Sequence, residues 1–127
     1  PDFIIATSEW FKMTDAHPFF DHVGDHADEL ETSVMMHYHP ELVNLSEAGQ
    51  GDSRGFGIKA LSEGKVWIPR NWAKVSRDTG IGSPAKATAE KGARFAAAVV
   101  EKYVEFLADF ARVETIDDLY EPQSHNE

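Results

Sequence analysis

From Ala89 to Ala111 the apolar residues Gly92, Ala96, Val99, Tyr103, Phe106 and Phe110 return every three or four positions, and Phe95, Val100 and Leu107 widen the stripe. This spacing predicts a helix about 35 Å long. A face that broad has to be covered by a sheet, by another helix or by a second copy of the chain. The regular spacing also permits a coiled-coil seam. Two starts are available. Ser83-Pro84 offers a serine cap with proline at the first helical position, and Thr88 offers a second cap if a short turn comes first.

The remaining segments are shorter. Phe3 to Thr7 and Val66-Trp67-Ile68-Pro69 are apolar runs that predict buried or edge strands. Phe56 to Leu61 predicts a third short strand, and Glu41 to Leu45 a short extended piece. Asp28 predicts the start of another helix. Leu30, Val34 and Tyr38 share a face there, Asp28 and Glu31 have capping-box spacing, and Pro40 forces a stop. Residues 46–57 and 70–82 predict loops rich in turn formers. Ser8 to Phe20 predicts a loop crowded with aromatics, which either plugs the end of the core or forms a pocket rim. The tail from Glu114 is expected to fray. A few strands and one very long helix fit part of an α/β layer architecture better than a complete small fold.

Charge and composition exclude several functions. The chain carries 12 basic and 22 acidic residues among 127, a formal charge of −10. A phosphate backbone selects a basic face, so no nucleic-acid partner is expected. No apolar run approaches the roughly 20 residues needed to cross a bilayer, so no membrane partner is expected either. With no cysteine there is no thiolate or disulfide chemistry. A cytoplasmic location is the expectation. The chain starts at Pro1 and enters Phe3-Ile4-Ile5-Ala6 at once, which is expected of the interior of a longer polypeptide or of a trimmed product.

The residue types that carry chemistry gather in Gly24-Asp25-His26-Ala27-Asp28-Glu29-Leu30-Glu31-Thr32-Ser33. An imidazole titrates near neutrality and can take and return a proton within one cycle. Asp25, Asp28 or Glu31 can orient the His26 ring. Capping alone also accounts for Asp28 and Glu31. His22, His37 and His39 add imidazoles nearby, but the metalloprotease pattern His-Glu-x-x-His is absent, and no metal ligand is assigned within this chain. Asp78-Thr79-Gly80 resembles half of an aspartic-protease signature without its second aspartate. The glycines of residues 49–57 do not form a phosphate-binding loop.

The Gly24–Ser33 run, followed by Val34-Met35-Met36 and Pro40-Glu41-Leu42-Val43, resembles the creatininase (creatinine amidohydrolase) family. So does Ile81-Gly82-Ser83-Pro84-Ala85-Lys86-Ala87-Thr88-Ala89-Glu90-Lys91-Gly92, in the same order along the chain. The resemblance covers roughly Phe3 to Phe110 and is placed in the C-terminal half of the family only. It implies a three-layer α/β/α fold, with residues 1–113 as part of an amidohydrolase domain and 114–127 as a tail. It also implies a homo-oligomer, often a hexamer, and a divalent metal pair, zinc or manganese. The family's metal-binding motifs do not occur here, and the resemblance puts them upstream of Pro1.

By the same resemblance His26 is the proton shuttle, with Glu31 and Asp25 beside it in the catalytic group. Trp10 and His22 shape the pocket of a small-molecule substrate. The implied reaction is hydrolysis of the C–N bond of a cyclic amide or related small amide, with the isolated chain inactive. Asp25 stands where the family usually has Glu, and Asp28 where it usually has Gly. A non-catalytic scaffold or oligomer-forming subunit, and a small-molecule binding domain, are the competing readings.

Overall fold

The structure is a computed structural model that describes residues 3–122. Four helices carry it: α1 (Glu29–Tyr38), α2 (Lys59–Ser62), α3 (Trp72–Val75) and α4 (Ala89–Phe110). Short 3-10 turns lie at Trp10–Lys12, Pro40–Leu42, Leu45–Glu47 and Ile116–Leu119. Two long helices joined by extended loops make the architecture essentially all-helical.

This corrects the expected α/β, three-layer α/β/α fold. Among the described residues there is no strand, only isolated antiparallel bridges between His26 and Ile81 and between Ser53 and Ser76. A strand is stabilised by the neighbour that takes up its N–H and C=O groups. Phe3 and Ile5 are 68% and 76% exposed, and their segment has no such neighbour. Trp67 is 80% exposed in the second predicted strand. Part of the third, Lys59–Ser62, closes into a helical turn instead. Of Glu41–Leu45 only Val43 and Asn44 stay out of helical turns, Val43 extended, between the 3-10 turns Pro40–Leu42 and Leu45–Glu47.

The helix expectations hold. α4 begins at Ala89 because the Thr88 hydroxyl caps it, accepting from the Lys91 N–H at 3.2 Å. Pro84 belongs to a separate turn before it, closed by Ala87 N–H donating to the Pro84 carbonyl at 2.9 Å. α1 begins after Asp28, whose carboxylate accepts from the Glu31 N–H at 2.9 Å. It ends at Tyr38, with Pro40 opening the next turn. The tail holds one 3-10 turn, Ile116–Leu119, capped by Thr115 and Asp118. The expected fraying falls partly on residues 123–127, outside the described residues.

The core lies where α1 crosses α4. A Cβ on Gly92 would fall 2.0 Å from the Ser33 carbonyl oxygen, so the crossing needs glycine on α4. Ser33 is fully buried, and its hydroxyl accepts from the Thr88 N–H at 3.1 Å. Phe95 is fully buried beside Leu30 and Val99. Edge-on contacts surround its ring: Phe20 at 5.3 Å, Phe19 at 5.4 Å and Trp10 at 6.2 Å. The aromatic loop therefore plugs the core, and burying a ring like Phe95 stabilises the fold by about 2–3 kcal/mol.

Candidate functional site

The Gly24–Glu31 corner is built from main chain. Asp25 and His26 N–H both donate to the Ile81 carbonyl, at 2.8 and 3.2 Å, and Ile81 N–H donates to the His26 carbonyl at 2.8 Å. Ala27 then takes φ +48°, a left-handed geometry that costs an L-residue on the order of 1 kcal/mol. The turn is held by carboxylates. Asp28 accepts from Gly24 N–H at 2.6 Å, and Glu31 accepts from Ala27 N–H at 2.6 Å. The capping box is thus half made, because Glu31 reaches back one residue beyond the cap. A Cβ at Gly24 would sit 2.3 Å from the Ile81 carbonyl oxygen and 2.8 Å from Gly82 Cα, so the two loops meet backbone to backbone.

This geometry brings His26, Glu31 and Asp25 to one corner. His26 Nδ1 lies 3.6 Å from Glu31 Oε2, with the imidazole side chain 47% exposed. That distance is an electrostatic contact and too long for a hydrogen bond. The His26 ring packs against Trp72, centroids 5.0 Å apart and tilted by 56°. Asp25 is paired with Arg70, whose guanidinium sits 4.9 Å over the Trp72 ring. Sequence reasoning missed both Arg70 and Trp72, which lie in a segment expected to be an ordinary loop. The signal available was a cation two residues before an aromatic, a spacing that lets the two stack.

Trp10 and His22 are placed elsewhere. Trp10 packs on Phe95 at the core. His22 is exposed and uses its N–H to donate to Glu29 Oε2 at 2.8 Å. The other imidazoles disperse: His37 lies against Tyr38, His39 near Glu41, and His17 near Asp15.

A cleft of about 390 Å³ opens on the other side of Glu31. Ala27, Met35, Asn44, Gly51, Asp78 and Gly82 are among its lining. The loop of residues 46–57 is anchored here, with Gly82 N–H donating to the Gly51 carbonyl at 3.0 Å. Asp78-Thr79-Gly80 closes a turn of its own, with Gly80 N–H donating to Asp78 at 3.1 Å.

A second polar group, centred on the buried Glu29, adjoins this corner. Glu29 is fully buried and meets Lys91 Nζ at 2.5 Å, and Lys91 also reaches Asp21 at 2.9 Å. Burial pushes the Glu29 carboxyl up, but the Lys91 ammonium and the His22 and Asp21 N–H groups outweigh it and hold the group below the ordinary range. Glu29 and Asp21 in turn raise Lys91. The Lys91 hydrogen bond lowers Asp21, with help from Lys86. This group clasps α1 to α4.

Among the described residues no group of three or more His, Asp or Glu side chains could hold a metal ion. No helix there is long and apolar enough to cross a membrane.

The family model for creatininase (creatinine amidohydrolase) matches residues 3–107. The crystal structure of a Bacteroides fragilis protein described as "Putative creatinine amidohydrolase" matches with TM-score 0.84 and 49% identity, over 95% of this chain and 47% of that one. No curated protein matches significantly. The chain spans about half the length of that solved relative. The family match also corrects the reading of the resemblance as a C-terminal half only, since it takes in residues 3–107, most of the 127-residue chain. The chain belongs to the creatininase family.

Proposed function

We propose, from membership of the creatininase family, that this chain serves a metal-dependent amidohydrolase acting on the C–N bond of a cyclic amide or related small amide, and that it carries the proton-handling residues. The observation that carries the reading is the His26 corner: a half-exposed imidazole 3.6 Å from a carboxylate, on a main chain fixed at both of its polar groups. In the proposed mechanism His26 gives a proton to the departing nitrogen. Glu31 stabilises the imidazolium and Asp25 helps fix the corner, while Trp10, packed on Phe95, and His22, turned to Glu29, stand apart from it.

A divalent metal pair, zinc or manganese, is part of the proposal, but the described residues do not form its ligand set. Glu31 already spends an oxygen on the Ala27 N–H, and no third donor joins it and His26. The ligands are therefore proposed to lie outside these residues. A homo-oligomer such as a hexamer, a cytoplasmic location, and the division into a 1–113 domain portion and a 114–127 tail belong to the same proposal. Family membership and the resemblance support them.

The test is a chimera in which this chain replaces the matched segment of the Bacteroides fragilis protein. It would be assayed on a panel of cyclic and small linear amides with zinc or manganese. Turnover is expected, and His26→Ala should lower it at least about 100-fold, the range of general acid–base catalysis. A chimera that turns over equally well without the imidazole would overturn the proton-shuttle role.

A second reading, a non-catalytic oligomer-forming subunit, is favoured by the exposed apolar side of α4 at Val100, Val104 and Leu107. No turnover on any of the panel, together with self-association that is lost on changing those residues, would select it.

A further inference from the structure

We infer that Arg70 and Trp72 are positioning residues that fix the His26 imidazole, and that Asp25 acts through them rather than on a proton. The inference rests on the proposed proton transfer by His26. Hydrogen bonds to Ile81 lock the His26 main chain, but they leave the ring free to turn about its side-chain torsions. Glu31 does not remove that freedom. Its Oε2 is 3.6 Å from Nδ1 and is already engaged by the Ala27 N–H at 2.6 Å. Among the described residues neither nitrogen of the ring has a hydrogen-bond partner within 3.5 Å. What the ring does have is a tilted aromatic contact, Trp72 with centroids 5.0 Å apart.

Trp72 is itself held. It opens α3, and the far end of that helix is tied down by Arg54 N–H donating to the Val75 carbonyl at 2.7 Å. The Arg70 guanidinium covers the Trp72 ring at 4.9 Å and bonds the Asp25 carboxylate through both terminal nitrogens. Asp25 adjoins His26 in the chain. The contacts therefore close a circuit: Asp25 to Arg70, Arg70 to Trp72, Trp72 to His26, and His26 back to Asp25 through the backbone. A bidentate guanidinium–carboxylate pair stacked on an aromatic specifies orientation as well as proximity. Asp25 spends its carboxylate on Arg70, so its contribution to the site is geometric.

The test joins a readout that needs no turnover to one that does. In the 127-residue chain, the His26 ring-proton NMR resonances should lie under the ring current of Trp72. Trp72→Leu should move them towards those of an exposed histidine, with amide resonances of α4 unchanged, and Trp72→Phe should keep most of the displacement. Arg70→Gln and Asp25→Asn should each produce the same partial shift, and the double variant no more than either one. In the chimera, Trp72→Leu should lower kcat about 10- to 100-fold with KM little changed, because a misplaced acid costs rate rather than binding. Trp72→Phe should restore most of that loss. His26 resonances indifferent to Trp72→Leu would overturn the inference. So would an unchanged kcat in Trp72→Leu where His26→Ala abolishes turnover. If instead His26→Ala leaves turnover intact while the resonances still follow Trp72, the proton-shuttle reading fails and the contact circuit stands.

Discussion

In the first half of α4, Gly92, Phe95, Ala96 and Val99 are buried, while in the second half Val100, Val104 and Leu107 are 53%, 61% and 57% exposed. One apolar rhythm runs through both halves. The first half meets α1 and the aromatic loop; in the second, Tyr103 still packs against the core and bonds Ser8, while Val100, Val104 and Leu107 on the flank are left uncovered. Periodicity therefore encodes the helix, whereas burial is decided by what the rest of the chain brings to each turn. The Glu29–Lys91 clasp and the Ser33–Gly92 crossing both lie at the covered end.

Three substitutions sharpen or break that contrast. The largest effect is expected from Phe95→Ala, which should destabilise the chain by about 4 kcal/mol in denaturant unfolding, as the emptied ring site leaves a cavity among Trp10, Phe19 and Phe20. Next is Glu29→Gln, at about 1.5 kcal/mol, because it takes the charge out of a buried hydrogen bond to Lys91, which keeps Asp21.

The pH dependence of that clasp has a definite sign. The Glu29 carboxyl lies below its ordinary 4.5, so its contribution is present above about that pH and fades as pH falls through the lowered value. Lys91 lies above its ordinary 10.5, so its contribution is complete below that pH and lost as pH rises through the raised value. Unfolding measured against pH should show a plateau between these limits, and Glu29→Gln should flatten its acid side. An unaltered acid limb would remove Glu29 from the clasp. The smallest effect belongs to Leu107→Ser in the uncovered half, within about 0.5 kcal/mol. A loss there comparable to that of Phe95→Ala would erase the distinction between the halves.

Local signals were legible where one residue's chemistry decides the backbone. Asp28 and Thr88 cap their helices and Pro40 follows the end of α1, each as the sequence predicts. Strands were not legible, because an apolar run such as Phe3–Thr7 names a preference while its pairing partner is set by the rest of the fold. His26, Glu31 and Asp25 adjoin in sequence, so their meeting at one corner was readable. Arg70 stands 45 residues from Asp25, and only the folded loops bring the two together. Trp10 is a large aromatic in a loop, and that type alone does not tell a pocket wall from a core plug.

Along the side of the cleft formed by Ala48, Gly49, Gly51, Gly80 and Gly82, a bound molecule would face mostly peptide groups, with the Asp78 carboxylate against Gly49. Such a wall has few rotamers to rearrange, and its one carboxylate, Asp78, is already tied to the Gly80 N–H. Its evolution, or its redesign, is also one-directional. Any replacement for these glycines adds atoms, so along this side the cleft can be narrowed or blocked but not enlarged. A larger ligand would have to be accommodated on the opposite side, where Met35 and Leu42 still have side chains to give up.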